Sequence, residues 1–412
     1  MNPSRLRTKG TIACAVACAL AAAAAPLRAG SLGSEPSLGL SAGFQSNPLL
    51  DPNSNASAET LALLLNLPVA FNGRRSTFTL SPRLRAGATR GEVAPLSNYQ
   101  YVDANWDYKG ERNELVADAE WHRDSTLYNQ YERSVLGGNT LRRLEETGSL
   151  TWRHDLSERS TFQLQGAEDR VLYGAEQVQT LTSFNYGQGS AKYGYQLSEN
   201  WQASLEGGFT RYELRDQSYR TDATYVQFGL ARTLSEYWSL SMSAGASALK
   251  SRQFIERYVI EQDPQGALHI VLKRFELHSG DHTRSYALSA KRQFEQWELN
   301  LSGSRALQPS GFGALATQDD LSLRATGHWS ERLTLSGTLH GSRLSDASGR
   351  LNLGSRRYYD CDLSANWQWR EHWSVEAQAA LYMERAAASS PTRSNVLVFL
   401  TLTRQFGRQG LN

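Results

Sequence analysis

The amino-acid sequence predicts an all-β chain that forms a transmembrane antiparallel up-and-down β-barrel of about 18 strands, within a range of roughly 16–18. Three observations lead to this prediction. Apolar and polar residues alternate with a period of two from Ser37 onward, the connections between the alternating segments are short and long in turn, and no window of about twenty apolar residues follows the N-terminal segment. Such alternation gives each strand one apolar and one polar face, as expected for a barrel wall between lipid and water.

The N-terminal segment has the layout of a secretory signal peptide. A start with basic residues precedes an uncharged apolar run from Thr11 to Ala25, and Ala29 is a small residue suited to the position before a cleavage site. The run is too short to span a bilayer as a helix, although an N-terminal anchor is the alternative interpretation. We therefore expect a cleaved signal peptide over residues 1–29 and a single barrel domain over residues 30–412.

The composition limits the partners and cofactors that the chain is expected to have. Lys and Arg together number 43 against 41 Asp and Glu, so no excess of positive charge indicates a nucleic-acid partner. Cys361 is the single cysteine outside the predicted signal peptide, which excludes an intramolecular disulfide in the mature chain. No Gly-rich phosphate loop and no metal-ligand spacing occurs, and we expect no cofactor and no bound metal.

Eighteen alternating segments can be recognised, each roughly ten to fourteen residues long. They begin near Ser37, Glu59, Ser76, Asn98, Asn113, Leu141, Thr161, Ser183, Trp201, Ala223, Trp238, Thr283, Trp297, Asp319, Leu333, Arg357, Trp373 and Ser394. If both termini lie on the same side of the membrane, such a barrel needs eight short turns on that side and nine loops on the other, and these numbers are found. A soluble β-sandwich has shorter strands and no reason for this regular alternation.

A Leu-Ser-Glu motif recurs at the short connections and is followed by an aromatic or apolar residue. Leu197–Glu199 precedes Trp201, and Leu234–Glu236 precedes Trp238. The motif predicts an aromatic belt at the level of the lipid headgroups beside tight turns, and soluble hairpins with packed tryptophans are the alternative. The predicted membrane-interface aromatics are Trp201, Trp238, Trp297, Trp329, Trp369 and Trp373.

Charged residues on the polar faces are segregated by strand and are candidate lumen residues. The candidates are Arg83 and Arg85 on the third strand, Asp103 and Asp107 on the fourth, Asp118 and Glu120 on the fifth, Arg143 and Arg153 on the sixth, and Asp360 and Asp362 on a late strand. Neighbouring strands would set basic residues against acidic ones across the wall and produce a transverse field over a pore, which is the channel hypothesis. A ladder of cross-strand ion pairs that solvates the lumen is the alternative.

The sequence gives little indication of catalysis. A nucleophile needs an oriented base, and the one cluster of histidines is His278–His282, which is expected to be a polar turn. We therefore predict no catalytic residues and no enzyme activity. The connection from Leu249 to His282 is expected either to extend two strands into a hairpin beyond the membrane or to fold back as a constriction loop.

The last strand has an apolar face that ends in an aromatic residue. Val396, Val398, Leu400 and Leu402 alternate with polar residues, and Phe406 closes the series. Outer-membrane proteins commonly end in this way, and the likeness implies insertion by the outer-membrane assembly machinery, with outer-membrane lipid as a partner.

The mature chain resembles the family of outer-membrane β-barrel porins associated with exopolysaccharide and exosortase-type gene clusters. The resemblance rests on the opening segment Leu38–Leu49, which runs from a strand into an Asn-containing loop, and on the Leu-Ser-Glu turns. It implies export to the outer membrane of a Gram-negative cell and passage of a polysaccharide or another solute. The competing hypothesis is a non-conducting structural or adhesive barrel whose long loops bind a partner.

Overall fold

The fold was analysed in a computed structural model, which describes residues 31–48, 50, 56–91, 98–126, 141–174, 181–262, 268–347, 355–385, 390–407 and 409–411. The strands are β1 (Ser31–Ser34), β2 (Ser37–Gln45), β3 (Ala58–Asn66), β4 (Val69–Asn72), β5 (Ser76–Gly91), β6 (Tyr99–Lys109), β7 (Asn113–Ser125), β8 (Arg142–Asp155), β9 (Ser160–Gly174), β10 (Phe184–Ser198), β11 (Trp201–Leu214), β12 (Tyr219–Ser235), β13 (Trp238–Gln262), β14 (Leu268–Gln293), β15 (Trp297–Pro309), β16 (Leu315–Ser330), β17 (Leu333–Asp346), β18 (Arg356–Arg370), β19 (Trp373–Arg385), β20 (Arg393–Gln405) and β21 (Gln409–Leu411). The predicted signal peptide lies outside the described residues. Within the described ranges, no helix is long and apolar enough to cross a membrane.

The strands form one closed antiparallel barrel. Each long strand pairs with its neighbour in the chain, and the first and last of them, β2 and β20, close the ring with Ser37 opposite Gln405 and Gln45 opposite Leu397. The ring contains eighteen strands, because β1, β4 and β21 are short additions at one end. The predicted fold class and strand number are confirmed. We call the end with the short connections the turn side and the opposite end the loop side.

The predicted strand starts lie within one residue of the observed starts except at three strands. β12 begins at Tyr219 and β16 at Leu315, each four residues earlier than predicted. β14 begins at Leu268, because β13 and β14 pair without interruption until Gln262 lies opposite Leu268. The hairpin alternative for this segment is therefore confirmed, and the constriction-loop alternative is wrong. The predicted turn at His278–His282 is also wrong, since this segment is part of β14.

Three short strands on the turn side were not predicted. β1 pairs with β4 in the same register in which β2 pairs with β3, and the pairing is interrupted only around Pro36 and Pro68. Proline has no backbone N–H to donate to a ladder, so each of these residues interrupts its strand without ending the extended course of the chain. The residues after Phe406 continue the sheet, since β21 pairs with β1 and the Phe406 N–H donates to the Pro36 carbonyl. The wall at the seam thus extends beyond the barrel on the turn side.

The two faces of the wall differ in polarity. Large apolar side chains are exposed on the outer face of almost every strand, for example Leu40, Leu61, Leu150, Leu205, Phe228, Leu339, Leu363 and Leu400. The inner face has buried polar side chains, for example Ser41, Thr60, Thr210, Thr221, Ser247, Gln318 and Ser342. This is the reverse of a small soluble barrel, which places its apolar residues inside.

Candidate functional site

The inner wall of the barrel carries the charged side chains that the sequence predicts for a lumen. The strand register places all ten of the predicted charges on the inner face, where side chains directly opposite one another point the same way. The relevant pairs are Arg83 with Tyr101, Asp103 with Glu120, Asp107 with Val116, Asp118 with Ser149, Arg143 with Asp124, Arg153 with Glu114, Asp360 with His340 and Asp362 with Thr338. Arg85 lies opposite Tyr99, and its guanidinium is 5.5 Å from the centre of the Phe399 ring.

Cross-strand ion pairs connect the charges on β5 to β8. Arg83 donates to Asp103, which contacts His122 through its other oxygen. Arg143 makes two hydrogen bonds to Asp124, of 3.0 and 2.9 Å, in a fork that matches the planar guanidinium to the carboxylate. The ion-pair alternative therefore describes this part of the wall.

A second group of charges lies on β16 to β19. His340 bridges two carboxylates, with Nδ1 2.8 Å from Asp360 and Nε2 3.2 Å from Asp320. Asp362 accepts a hydrogen bond of 3.2 Å from the Tyr382 hydroxyl. This group lies on the opposite side of the seam from the first, and it adds carboxylates to the lumen without a matching number of basic partners.

The wall between the two groups is lined mainly by small polar residues. On β13 to β15 the inner face consists largely of serine, as in Ser239, Ser241, Ser243, Ser289 and Ser302. Most of the lumen charge is therefore carried by strands β5 to β9 and β16 to β20, which flank the seam.

The short connection between β15 and β16, residues 310–314, folds inward across the loop-side mouth. Its backbone accepts two hydrogen bonds from other parts of the wall: the Tyr212 hydroxyl donates to the Ser310 carbonyl at 2.7 Å, and the Thr182 N–H donates to the Gly311 carbonyl at 2.8 Å. Tyr212 lies on β11, four strands from β15, so these bonds cannot belong to a simple hairpin turn. We call residues 310–314 the inward loop.

Phe312 of the inward loop contacts two sides of the barrel at once. It packs against Leu141 and Leu181, which precede β8 and β10, and against the cluster of Leu344 and Tyr358 on β17 and β18. Strands β10 and β18 are eight positions apart in the eighteen-stranded ring and lie nearly opposite each other. The inward loop thus divides the mouth of the lumen in two.

Buried groups anchor the loop at both of its ends. Tyr212 is fully buried within an apolar cluster that includes Phe184, Tyr219 and Leu315. On the other side, the Arg356 guanidinium lies 4.5 Å from the centre of the Phe312 ring and 3.7 Å from the fully buried carboxylate of Glu384. A cation over an aromatic face is attracted more strongly where water is excluded.

Sequence reasoning missed the inward loop because its connection is short. The segment Pro309–Gly313 combines turn-forming residues with a central phenylalanine, and a large apolar residue inside a turn is the signal that could have indicated an inward course. Gly313 has φ +89°, a left-handed conformation that favours glycine. His122 was also missed, although it continues the inner-face series of Asp118 and Glu120 at the same spacing of two.

The predicted interface aromatics lie on the outer face, close to the turns. Trp201, Trp238 and Trp373 each pair across strands with an arginine, namely Arg232, Arg292 and Arg404, and all three guanidinium groups lie 4.8–5.6 Å from the ring centres. Trp297 lies over Gly327, while Trp329 and Trp369 are exposed. Amphipathic rings beside cationic groups suit the boundary between hydrocarbon and phosphate headgroups.

One group of side chains on the inner wall has the donor atoms of a metal site. Among the described residues, Asp103, Glu120 and His122 are the group whose ligand atoms all lie within 4.8 Å of one another. His122 Nε2 is 2.7 Å from Asp103 and 3.8 Å from Glu120. One imidazole nitrogen and two carboxylate oxygens thus lie close together on the inner wall.

Comparison with solved structures finds other large barrels. The ferric-catecholate import receptor Fiu from E. coli K12 in its open form is 10% identical, with 92% of this chain and 82% of that chain covered and a TM-score of 0.48. Pseudomonas aeruginosa OpdL is 12% identical, with 93% and 99% covered and a TM-score of 0.40. Pseudomonas aeruginosa OprD is 12% identical, with 91% and 96% covered and a TM-score of 0.41. No protein-family model matches the sequence, and the search of curated proteins found no match.

Proposed function

We propose that this protein is an outer-membrane channel that passes small hydrophilic solutes and favours cations. The observation that carries the proposal is a closed barrel with an apolar exposed outer face and an inner wall rich in carboxylates, partly crossed by an inward loop. In a bilayer every backbone N–H and C=O needs a partner within the protein, and a closed barrel satisfies this requirement. At eighteen strands the interior is too wide to be filled by wall side chains, so a polar inner face faces water.

The preference for cations follows from the inner-face inventory. The described inner-face carboxylates include Asp103, Asp107, Asp118, Glu120, Asp124, Glu145, Asp169, Glu206, Asp320, Asp360, Asp362, Glu376 and Glu384. Basic groups on the same face are fewer and include Arg83, Arg85, Arg143, Arg153, Lys192, Lys291, Arg324, Arg356 and Arg393. Rings and clusters of acidic side chains favour cation passage.

Passage of a surface polysaccharide is a more specific proposal, which the family resemblance suggests. An aromatic platform on the inner face supports it, since the rings of Tyr99 and Tyr101 stack at 4.4 Å and Arg83 lies over Tyr101. A polymer that passes the loop-side mouth would have to run beside the inward loop or displace it. The polysaccharide proposal would be supported if added oligosaccharide reduces the ion current through the wild type and no longer reduces it in Tyr101→Ala.

The test of the channel proposal is planar-bilayer conductance of the refolded mature protein, with heat-modifiable gel mobility as the check that the barrel has formed. In a KCl gradient we expect stepwise currents whose reversal potential has the sign for K⁺ selectivity. Anion selectivity would contradict the reasoning from the carboxylate excess. A folded barrel that never conducts would overturn the channel proposal.

A non-conducting adhesive barrel is the second candidate, and the extended hairpin of β13 and β14 favours it. The outer part of this hairpin has strongly exposed apolar side chains, including Tyr258, Ile260 and Ile270 at 77%, 67% and 72% exposure. Exposed apolar groups of this size commonly mark contact surfaces. We propose outer-membrane lipid and the assembly machinery as partners under either candidate, and no enzymatic role.

A further inference from the structure

We propose that the inner wall binds one divalent transition-metal ion, such as Zn²⁺, between Asp103, Glu120 and His122. The three side chains come from two neighbouring strands, with Asp103 on β6 directly opposite Glu120 on β7 and His122 two residues farther along β7. All three are inner-face positions, so their side chains meet on the lumen surface of the wall. The inference concerns this surface alone and does not depend on conduction.

The distances bracket those of a zinc site. Zinc lies about 2.0–2.2 Å from histidine nitrogen and carboxylate oxygen, which puts neighbouring tetrahedral ligand atoms about 3.3–3.6 Å apart. His122 Nε2 is 2.7 Å from Asp103 Oδ1 and 3.8 Å from Glu120 Oε2. An ion between them requires the first pair of atoms to separate by about 0.6–0.9 Å and the second pair to approach by about 0.2–0.5 Å. Glu120 can make such a shift, because 45% of its side chain is exposed.

The second nitrogen of His122 and its ring face a carboxylate and an aromatic side chain. Its other nitrogen, Nδ1, faces Glu145 on β8 at 3.9 Å, and its ring packs on Tyr101 with centres 4.3 Å apart. A carboxylate that accepts a hydrogen bond from the imidazole of a metal ligand fixes its tautomer, and Glu145 would have to approach Nδ1 by about 0.7–1.2 Å to make that bond.

The carboxylates around the proposed site outnumber the guanidinium groups, so the local charge favours a divalent cation. Asp103, Asp124, Glu120 and Glu145 face two guanidinium groups, those of Arg83 and Arg143. Arg83 contacts Oδ2 of Asp103 and leaves Oδ1 directed at His122. One imidazole with two carboxylates suits zinc and its first-row neighbours, whereas Mg²⁺ and Ca²⁺ prefer oxygen ligands alone.

The experiment measures Zn²⁺ binding to the refolded full-length barrel by competition with a coloured zinc indicator in excess Mg²⁺. We expect one Zn²⁺ per barrel, with affinity reduced roughly tenfold or more in His122→Ala and in Glu120→Gln. His340→Ala is the matched control, because the two nitrogens of His340 contact different carboxylates and its ligand atoms do not converge on one point. We expect this variant to bind Zn²⁺ like the wild type.

Two outcomes would overturn the proposal. One is a folded wild-type barrel that binds no Zn²⁺, and the other is binding that His122→Ala and His340→Ala weaken equally or not at all. Gel mobility before and after heating checks the fold of each variant, and Glu120→Gln decides the case if His122→Ala does not fold. Conductance separates the two proposals, since a barrel that binds Zn²⁺ without conducting contradicts only the channel, and one that conducts without binding contradicts only the metal site.

Discussion

Replacing Tyr212 with phenylalanine should loosen the inward loop while leaving its packing in place. The ring lies 5.3 Å from Phe184 and 6.3 Å from Tyr219, and phenylalanine keeps these contacts. The substitution removes the buried hydroxyl that donates to the Ser310 carbonyl at 2.7 Å. A hydrogen bond of this kind contributes about 0.5–1.5 kcal/mol, and a buried carbonyl left without a donor costs about 1–3 kcal/mol. A change of 1–2 kcal/mol alters a two-state ratio by a factor of roughly 5–30.

The assay is single-channel recording of wild type and Tyr212→Phe at the same voltage and salt concentration. We expect the variant to occupy a higher-conductance state about 5- to 30-fold more often, because the loop leaves the mouth more readily. Tyr225→Phe is the control, since the Tyr225 hydroxyl donates to Glu206 on the wall and not to the loop. If Tyr212→Phe folds normally and its current traces match those of the wild type, residues 310–314 do not restrict the passage and the reasoning is refuted.

Three further predictions follow from the wall and the loop. Gly313→Ala should favour the same higher-conductance state, because a side chain at φ +89° costs about 1–2 kcal/mol, and dwell-time analysis of single channels measures it. Asp118→Asn removes one inner-face charge and should move the reversal potential in a KCl gradient toward zero, whereas a shift away from zero would contradict the assignment of this face to the lumen. Gly43→Val should lower the folded fraction in heat-modifiability gels, because a Cβ at this position would lie 2.0 Å from the Phe399 ring at the seam. Gly148→Ala is the control and should fold as the wild type does, because a Cβ there meets no atom within 4 Å.

The strand positions could be predicted because a barrel wall has one face in lipid and the other in water. The alternation of polar and apolar residues did not mark the starts of two strands, β12 and β16, because side chains on the inner face are apolar there. Tyr219 and Ala223 on β12 are buried in the cluster that holds the inward loop, so the inner face there is apolar instead of polar. Leu315 belongs to the same cluster, so the alternation of polar and apolar residues does not mark the start of β16. Beyond the membrane, both faces of the β13–β14 hairpin are exposed, and no one-sided pattern marks Leu268 as a strand start.

The candidate site could be predicted only in its inner-face charges. Their positions follow from counting residues along a strand, so Asp103 and Asp118 could be assigned to the polar face without knowledge of their neighbours. The partners depend on register, which the sequence does not specify to the residue across long loops. The contacts of Phe312 depend on the path of a connection across the barrel, and no local pattern encodes a contact with residues eight strands away.

The inward loop separates two parts of the inner wall that differ in charge. Phe312 joins the start of β10 to β17 and β18, so the loop separates a serine-lined side, β11 to β16, from the side that contains the seam. The apolar cluster that anchors the loop occupies the inner face of β10 to β13 on the serine-lined side. The carboxylates Asp118 and Asp362 lie on strands of the seam side, where the inner-face residues Gly39 and Ser41 at the seam itself are buried. Most of the inner-face carboxylates therefore lie on the seam side, and the metal-capable group of β6 and β7 belongs to this charged part of the wall.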